Sequence, residues 1–364
     1  MKFKKTFFNK KILITGNTGF KGCWLTLWFL RLGANVVGVS KGLPSNPCLF
    51  EILNLKKKIK FYKFDITDYK KLSHVIKKEK PDFIFHLAAQ ALVLRSYKKP
   101  LETIKTNVIG TTNVLEVLKF IKKKCVCIII TSDKCYENLE LKRGYKETDL
   151  LGGKDIYSSS KASAEIITSS YFRTFLKFKK NIRIGVARAG NVIGGGDWAE
   201  NRIIPDWYRF FSRKKILSIR YPNSTRPWQH VLEPLSGYLT LAMNLASKNE
   251  LNGQVFNFGP KSSQNEKVLS LIKKLNKSSN IFSKNRIKII KGKLYESGLL
   301  KLNCSKAERL LLWKANLKLS QLIQFISEWY ICYFSQKKYI FDVSMEQIKN
   351  FEKIAKINKI FWSN

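Results

Sequence analysis

The sequence predicts an α/β protein with a doubly wound parallel sheet and a smaller C-terminal domain. Its first half alternates short β-branched runs with longer helical patterns, which is the rhythm of βαβ units. The run CVCIII at 125–130 is apolar throughout, as suits a strand buried on both faces. After Arg188, three successive glycines and five prolines break this rhythm. At roughly 150 residues per domain, 364 residues suggest about two domains.

The pattern predicts each element in turn. In the first half, the predicted strands are 11–15, 35–39, 59–64, 82–87, 125–131 and 182–188. The predicted helices there are 21–32, 69–79, 101–122 and 157–177. Farther on we expect strands near 215–220 and 254–259, and helices near 235–246 and 266–275. The predicted domains are 1–190 for a nucleotide, 191–335 mainly for a substrate, and 336–364 as an extension, either an extra helix or a loose tail.

The chain is strongly basic, with 67 Lys and Arg against 26 Asp and Glu, a formal net charge of +41. Such an excess indicates either a polyanion-binding surface or a bias of the whole sequence. The excess is nearly all lysine and is spread along the chain, whereas nucleic-acid recognition favours arginine. We therefore expect a solvated surface and no nucleic-acid partner.

The sequence predicts no transmembrane helix, no signal peptide and no metal site. The longest uncharged apolar stretch, 125–130, is far shorter than the roughly 20 residues of a transmembrane helix. The N-terminus has scattered charge and no apolar core of a signal peptide. The seven cysteines form no CxxC pair, which predicts free thiols, a reducing compartment and no metal site. We expect a soluble cytoplasmic protein.

A glycine-rich turn, GNTGFKG at 16–22, joins the first predicted strand to the first predicted helix. Gly16 permits a tight turn, Gly19 lets the backbone approach a pyrophosphate, and Gly22 lets the helix pack on the strand. This pattern predicts a Rossmann dinucleotide site. The acidic residue that usually binds the ribose is absent; Ser40 could bond a ribose hydroxyl and Lys41 a 2′-phosphate, so NAD and NADP both remain open, with NAD favoured.

A second motif, Tyr157 followed by Lys161, opens a helical pattern. Side chains four residues apart lie on one helical face. A neighbouring ammonium and a nicotinamide cation would stabilise a phenolate, which could then take an alcohol proton while hydride leaves the same carbon. On its own the pattern is common; about 140 residues after a dinucleotide turn it predicts a dehydrogenase-type site.

The motifs together resemble the extended short-chain dehydrogenase/reductase superfamily of nucleotide-sugar enzymes. The resemblance is carried by the glycine turn, HLAAQ at 86–90 and the Tyr/Lys pair. More closely, the chain resembles the family of CDP-glucose 4,6-dehydratases over about residues 8–330. The segments that carry this match are GFKGCWL at 19–25, TSDKCY at 131–136, RAGNVIGGGDWAENRIIPD at 188–206, TRPWQHVLEPLSGYL at 225–239 and NFGP at 257–260.

The resemblance implies a reaction and a set of catalytic residues. CDP-D-glucose would become CDP-4-keto-6-deoxy-D-glucose with a recycled NAD, through oxidation at C4, loss of water across C5 and C6, and hydride return to C6. Tyr157 and Lys161 would serve the oxidation, and Ser132 would bond the C4 oxygen. Asp133 would protonate the departing hydroxyl, and Lys134 would be the C5 base if its pKa falls on burial.

Further binding positions follow from the same resemblance. Cofactor contacts are expected from Gly16, Thr18, Gly19, Phe20, Lys21, Gly22, Ser40, Asp65, Ile66, Leu87, Ala88, Ala89, Gln90, Asn107, Thr131, Tyr157 and Lys161. Substrate contacts are expected from Arg95, Asn191, Arg202, Arg226 and His230. His230 could equally be a packed core histidine. The chain departs from the family at Asn17, usually His, and at 90–95, which lacks the usual Pro and paired Arg.

The resemblance also implies partners and leaves alternatives. Two long helices, 101–122 and 157–177, would pair between subunits, giving a homodimer or tetramer. The product would supply deoxysugars for bacterial surface polysaccharides such as the lipopolysaccharide O-antigen. One alternative is a nucleotide-sugar 4-epimerase or a dehydratase for another nucleotide-hexose, although an epimerase does not need the Asp133–Lys134 couple. The other is a basic nucleic-acid or membrane-associated protein on a degenerate scaffold.

Overall fold

A seven-stranded parallel sheet forms the centre of the molecule. The structure, a computed structural model, describes residues 1–212, 216–261, 264–279, 287–290 and 300–364. The strands of this sheet are β1 Lys11–Thr15, β2 Asn35–Ser40, β3 Lys60–Lys63, β4 Phe83–His86, β5 Cys125–Ile130, β6 Ile182–Ala189 and β11 Val255–Phe258. Their order is β11-β6-β5-β4-β1-β2-β3. The order reverses direction at β1, so the sheet is doubly wound as predicted, and β1, β4 and β5 are buried along nearly their whole length.

Helices cover both faces of the sheet. In the first half they are α1 Lys2–Phe7, α2 Phe20–Arg31, α3 Leu49–Ile52, α4 Tyr69–Glu79, α5 Val93–Lys98, α6 Pro100–Ile104, α7 Gly110–Leu118 and α8 Ile156–Thr174. The prediction of one α-helix over 101–122 was wrong. A π-helical turn, Lys105–Ile109, interrupts it, and the helix ends at Leu118. Asn107 lies in that turn and bonds the loop after β4, which is a typical use of a π-bulge.

The second half carries shorter pieces. They are β7 Val192–Ile193, α9 Ile203–Ser212, β8 Leu217–Ile219, β9 Thr225–Pro227, β10 Gln229–His230, α10 Leu232–Ser247, β12 Asn265–Lys267, α11 Val268–Ser278, β13 Ile287–Ile289 and α12 Ser305–Leu311. The short strands pair two by two. The predicted strand near 254–259 is β11, and it joins the edge of the main sheet beside β6. Lys215, at the start of the strand predicted near 215–220, lies outside the described residues.

The C-terminal stretch, which the sequence left open, is helical. After α13 Leu319–Ser335, the helix α14 Ile340–Ile357 packs on α2. Trp362 stacks on Phe3 with ring centroids 4.7 Å apart and meets Trp28 edge-on at 5.9 Å. The two chain ends thus bury aromatic rings together against the outer face of α2, because Trp28 and Trp362 are both fully buried.

Glu352 ties α14 to α2, and its removal should weaken the fold modestly. Its carboxylate accepts from Trp28 Nε1 at 2.9 Å and pairs with Arg31 at 2.9 Å. We expect Glu352→Gln to lower the free energy of unfolding by about 1–2 kcal/mol, measured by urea denaturation. Glu346→Gln is the matched control: its pair with Lys349 on the same helix is exposed, so a loss within about 0.5 kcal/mol is expected. Equal losses in the two variants would contradict this assignment.

All seven cysteines are free thiols, five of them buried. Among the helices of the described ranges, none combines the length and the apolar character needed to cross a bilayer.

Candidate active site

The strand ends bring distant segments to one edge of the sheet. In the parallel register Thr15 lies opposite His86, His86 opposite Ile129, and Ile130 opposite Ala187. The loops that follow β1, β4, β5 and β6 therefore open on the same side. This is the edge at which doubly wound sheets bind ligands.

The glycine turn after β1 has the geometry of a phosphate cradle. Gly16 has φ +76°, and a Cβ there would lie 2.6 Å from the amide nitrogen of Ala88. A Cβ on Gly22 would collide with the Gly16 carbonyl, so α2 can approach the turn only with glycine at this position. The N-cap Gly19 supplies no side-chain hydrogen bond, which leaves the first amides of α2 without a side-chain cap. A diphosphate fits this uncapped helix N-terminus.

Ser40, at the end of β2, forms hydrogen bonds with the glycine turn. Its hydroxyl donates to Asn17 Oδ1 at 2.9 Å and accepts from the amide of Thr18 at 3.3 Å. Asn17 is fully buried, so its side chain accepts this hydrogen bond inside the protein and has no contact with solvent. Ser40, predicted as a ribose contact, thus has an internal bonding role in this structure.

Beside Ser40, a charged cluster occupies the place expected for the adenosine end. Lys41 pairs with Asp65 at 3.4 Å and with Glu102 at 3.2 Å. Arg95 pairs with the same Glu102 at 3.0 Å. The structure therefore places Arg95, predicted as a substrate contact, with Lys41 and Asp65 on the nucleotide side of the sheet edge.

The loop after β4 is held by buried polar groups. Asn107 accepts from the amide of Gln90 at 2.8 Å and donates to Ser160 Oγ at 2.8 Å, which ties the loop to α8. His86 bonds Thr15 at 2.7 Å and Thr111 at 3.0 Å, and burial lowers its pKa to about 3. Both residues brace the loop, while Leu87, Ala88 and Ala89 remain partly exposed at the edge.

The predicted catalytic residues converge where β5 ends and α8 begins. Asp155 caps α8 by accepting from the amide of Ser158 at 3.0 Å, and this starts the helix directly before Tyr157. Tyr157 and Lys161 are both 8 % exposed. Ser132 donates to Asp133 Oδ1 at 2.9 Å, and it acts to lower the pKa of Tyr157.

Electrostatics at Tyr157 differ from the prediction. Burial raises the pKa of Tyr157 to about 12, although Ser132 and Arg202 act to lower it. Lys161 was expected to acidify the phenol; instead its amine donates to the Ile130 carbonyl at 3.3 Å, and burial lowers the pKa of Lys161 to about 8. Without a ligand, the Tyr157 phenol is therefore protonated near neutral pH. The free-energy cost of burying a phenolate exceeds the stabilisation that Ser132 and Arg202 provide.

Asp133 has the properties of a carboxylic acid held ready to donate. Burial raises its pKa, while Lys134, Ser132 and Lys21 act to lower it. Its side chain is 5 % exposed, and Lys134 beside it is half-buried. A raised pKa keeps a larger fraction of the group protonated near neutral pH, as a general acid requires.

Behind this group lies a buried ion pair that sequence reasoning missed. Glu165 pairs with Arg188 at 2.9 Å, and both side chains are 2 % exposed. Glu165 also accepts from Thr131, directly before Ser132, and lies one turn after Lys161 on α8. The signal was present in the spacing, since Glu165 continues the helical face of Tyr157 and Lys161.

Lys21, predicted as a cofactor contact, reaches from the start of α2 to α10. Its amine donates to Tyr238 Oη on α10 at 3.3 Å. Burial, Arg202 and Lys161 lower the pKa of Lys21 to about 7, and Asp133 opposes this shift. Arg202 in turn pairs with the buried Asp197 at 2.9 Å and interacts with Tyr157.

The remaining predicted substrate residues are Asn191, Arg226 and His230. The Asn191 carbonyl accepts from the amide of Gln229 at 3.2 Å, and Arg226 lies on β9. The structure resolves the two possibilities for His230: the ring is fully buried and packs edge-on against Trp24 and Phe325, and burial lowers its pKa to about 3. This packing favours the core alternative over a substrate contact.

No cluster of metal-ligating side chains accompanies this site. Within the ranges that the structure describes, no group of three or more His, Cys, Asp or Glu side chains could hold an ion.

The doubly wound sheet, the glycine turn and the buried Tyr157/Lys161 pair define the class of short-chain dehydrogenase/reductase-type epimerases and dehydratases. The chain belongs, within this class, to the GDP-mannose 4,6 dehydratase family, whose model matches residues 13–326.

Curated relatives include several 4,6-dehydratases. CDP-glucose 4,6-dehydratase of Salmonella typhimurium is 41% identical over 327 residues, covering 88% of this chain and 90% of the relative. dTDP-D-glucose 4,6-dehydratase of Dictyostelium discoideum is 28% identical over 277 residues, covering 71% and 60%. The much higher identity to the CDP-glucose enzyme agrees with the resemblance carried by the long sequence segments.

Solved structures share the fold. UDP-glucose 4-epimerase of Thermotoga maritima superposes with a TM-score of 0.77 at 22% identity, covering 89% of this chain and 100% of that one. dTDP-glucose 4,6-dehydratase of Bacillus anthracis, solved in complex with NAD, has a TM-score of 0.74 at 21% identity, covering 92% and 99%. Epimerases and dehydratases thus share one scaffold, and the reaction must be argued from side chains.

Proposed function

We propose that this protein is an NAD-dependent 4,6-dehydratase that converts CDP-D-glucose to CDP-4-keto-6-deoxy-D-glucose and water. The observation that carries the proposal is the convergence of a buried acid, Asp133, with the Tyr157/Lys161 pair at the edge beside the glycine turn. The 41% identity to a CDP-glucose 4,6-dehydratase supports the nucleotide.

The oxidation at C4 uses the first pair. NAD, when bound in the glycine cradle, would supply the hydride acceptor and a positive charge close to Tyr157. Arg202 already acts to lower the pKa of Tyr157, so a further positive charge would offset the burial that keeps this pKa high. Tyr157 then takes the C4 hydroxyl proton, and Ser132 bonds the C4 oxygen.

The elimination uses the second pair. The C4 ketone acidifies the C5 proton, which Lys134 removes in the proposed mechanism. The electron pair of the C5–H bond forms the C5=C6 double bond, and the C6–O bond breaks as Asp133 donates its proton to the leaving oxygen. The hydride that left C4 would then return to C6, and Lys134 gives its proton back to C5, which yields the 6-deoxy ketone. The Ser132 hydroxyl orients Asp133 by its hydrogen bond at 2.9 Å.

The diphosphate of the substrate requires cations at the mouth of the site. We propose that Arg202, which is 37% exposed and paired with Asp197, presents its guanidinium to a phosphate together with Arg226 and Asn191. We assign Arg95 to the cofactor side of the site, because Arg95 and Lys41 both form ion pairs with Glu102.

The function is tested by a panel of substrates. Purified protein is incubated separately with a CDP-, a UDP-, a dTDP- and a GDP-hexose, with NAD added, and the mass of each product is measured. Loss of one water with the CDP sugar supports the proposal. Loss of water with another nucleotide would correct the base, an isomeric product without water loss would indicate a 4-epimerase, and no conversion at all would refute it.

Asp133→Asn should separate the two halves of the reaction. The amide cannot donate the proton that the leaving hydroxyl needs, so elimination should fall by about 10²- to 10⁴-fold. C4 oxidation should persist, seen as reduced nicotinamide absorbance that rises and does not decay. Unchanged dehydration would exclude Asp133 as the acid.

We further propose a cytoplasmic homodimer, or a tetramer built from such dimers. Apolar side chains are exposed on the π-bulged helix and on α8: Leu101 is 71% exposed, Ile109 47% and Ile166 54%. A self-pairing face would cover them. Seven free thiols suit a reducing compartment. Light scattering should give at least twice the monomer mass, and Ile166→Glu should reduce it; a wild-type monomer would contradict the proposal.

A further inference from the structure

The amino ends of two central strands form a surface on the edge of the sheet opposite the candidate active site. The segments 119–124 (KFIKKK) and 175–181 (FLKFKKN) lead into β5 and β6, and together they contain seven lysines and no acidic residue. Because Ile182 lies opposite Cys125 in the parallel register, the two segments are neighbours in space. We call residues 119–124 and 175–181 together the basic edge.

Side-chain contacts join the two segments of the basic edge. Asn181 Nδ2 donates to the Ile121 carbonyl at 2.7 Å. The Lys119 amine lies 4.2 Å from the centre of the Phe175 ring and 5.6 Å from the centre of the Phe120 ring. One lysine of the first segment is thus flanked by an aromatic ring from each segment, which brings amines and rings together on one face.

The aromatic rings of the basic edge are exposed. Phe178 is 72% exposed, Phe120 52% and Phe175 41%. The Lys177 amine lies 4.7 Å from the centre of the Phe178 ring. An apolar ring left in water gains free energy when a partner covers it, and a group of such rings marks an interaction surface. The basic edge therefore offers cations and unburied apolar rings side by side.

Neighbouring carboxylates cancel only part of the charge. Asp82 pairs with Lys123 at 2.7 Å, and Glu116 pairs with Lys119 at 3.0 Å. The adjoining loop 247–250 adds one lysine and one glutamate, which balance each other. Seven lysines against the two paired carboxylates leave a clear positive excess on this face. The excess makes the face complementary in charge to an anionic partner.

We propose that the basic edge binds the surface of an anionic lipid bilayer. The lysine amines lie among the headgroup phosphates, and the phenylalanine rings reach the boundary of the acyl chains. The chain lies on the bilayer without crossing it. The loops that follow the strands open on the opposite edge of the sheet, so the candidate active site stays open to water. This binding does not depend on which sugar the protein dehydrates.

Charge and residue type favour a lipid surface over two other occupants. A second copy of the chain, paired through this face, would bring the same lysines together, and like charges repel. Recognition of nucleic acids favours arginine, whereas every cation of the basic edge is a lysine. Phenylalanine has no polar atom, which suits acyl chains. Single-stranded nucleic acid also stacks on aromatic rings, so it forms one arm of the test.

The experiment measures how the full chain partitions onto vesicles by sedimentation. One vesicle is equimolar phosphatidylcholine and phosphatidylglycerol, and the other is pure phosphatidylcholine. We expect wild type to sediment with the anionic vesicle and to stay in solution with the neutral one. Binding should be lost when salt rises from about 0.1 M to about 1 M, because the Debye length falls from about 10 Å to about 3 Å.

Two triple variants separate the basic edge from the overall charge. The first removes three exposed lysines of the basic edge: Lys122→Gln, Lys177→Gln and Lys180→Gln. The matched control removes three exposed lysines on and after other helices, α11 and α12: Lys273→Gln, Lys277→Gln and Lys314→Gln. Since one lysine near an anionic surface changes binding about fivefold, the first variant should partition about 100-fold more weakly. The control should change by less than about fivefold.

A further variant tests the rings without changing the charge. Phe120→Ala combined with Phe178→Ala should weaken partitioning about 10- to 100-fold, because the apolar area that enters the headgroup region is lost. The salt dependence should persist, since every lysine remains. Both rings are exposed, so the midpoint temperature of thermal unfolding should stay close to that of wild type. Unchanged partitioning would exclude the rings from the membrane contact and overturn the proposal.

Four other results would also overturn the proposal. Wild type that stays in solution with anionic vesicles binds no such surface, and equal weakening by the two triple variants would assign the binding to overall charge. Tighter binding to single-stranded polyuridylate than to vesicles, lost in the first triple variant, would assign the basic edge to nucleic acid. A lower mass of that variant in light scattering would assign it to a second copy. Intact vesicle binding with no dehydration of any sugar would be a failure of the proposed function alone and would support the basic edge.

Discussion

Replacement of Tyr157 by phenylalanine should reduce dehydration by about 10²- to 10⁴-fold while the protein still retains its cofactor. The phenol oxygen is the group that takes the C4 proton in the proposed mechanism, and a phenyl ring fills the same buried space without it. Because oxidation at C4 precedes every later step, no reduced nicotinamide should accumulate in this variant. Single-turnover absorbance after mixing with the CDP sugar measures this directly.

The contrast with Asp133→Asn gives this prediction its control. The Asp133 variant should accumulate reduced nicotinamide, and the Tyr157 variant should not, although both lose product. The midpoint temperature of thermal unfolding of Tyr157→Phe should stay close to that of wild type, since only a hydroxyl is removed. Full turnover in Tyr157→Phe would remove the phenol from the mechanism and with it the present reading of the site.

Removal of the Glu165 carboxylate should have the largest effect on stability. Leucine at this position leaves the Arg188 guanidinium, which is 2 % exposed, without its buried counter-charge. Breaking one side of such a pair costs about 3–5 kcal/mol, because the remaining charge stays desolvated. Glu165→Leu should lower the free energy of unfolding by that amount in urea denaturation.

A double variant distinguishes an unpaired charge from lost packing. Glu165→Leu with Arg188→Met replaces both charges by apolar groups, so much of the lost stability should return. If the double variant is as unstable as the sum of the two single variants, the pair is not coupled, and the loss must come from packing against Tyr136, whose ring lies 4.5 Å from the Arg188 guanidinium carbon.

The sequence was a good guide to features that depend on neighbours along the chain. The strands 11–15 and 125–130 and the helix 69–79 were placed within a residue, because alternation, apolar runs and caps such as Asp68 act locally. The glycine turn and the Tyr157/Lys161 pair were recognisable for the same reason: each motif has its function built into spacings of three or four residues.

Features made by contacts between distant segments were missed or misplaced. The residues next to His230 in the sequence do not indicate that its ring packs against Trp24 and Phe325. The final helix was undecidable for a related reason, since its burial depends on aromatic rings of α1 and α2 at the other end of the chain.

The sequence alone therefore determined the parallel sheet, the phosphate turn and which side chains could move protons, because these follow from local periodicity and from the chemistry of residue types. Only the tertiary structure decided which charges face one another. The amine of Lys21 donates to Tyr238, and Glu165 pairs with Arg188, because parallel strand ends and the helices over them bring remote residues together. Burial and charges on residues remote in the sequence shift the pKa values of Asp133, Tyr157 and Lys161.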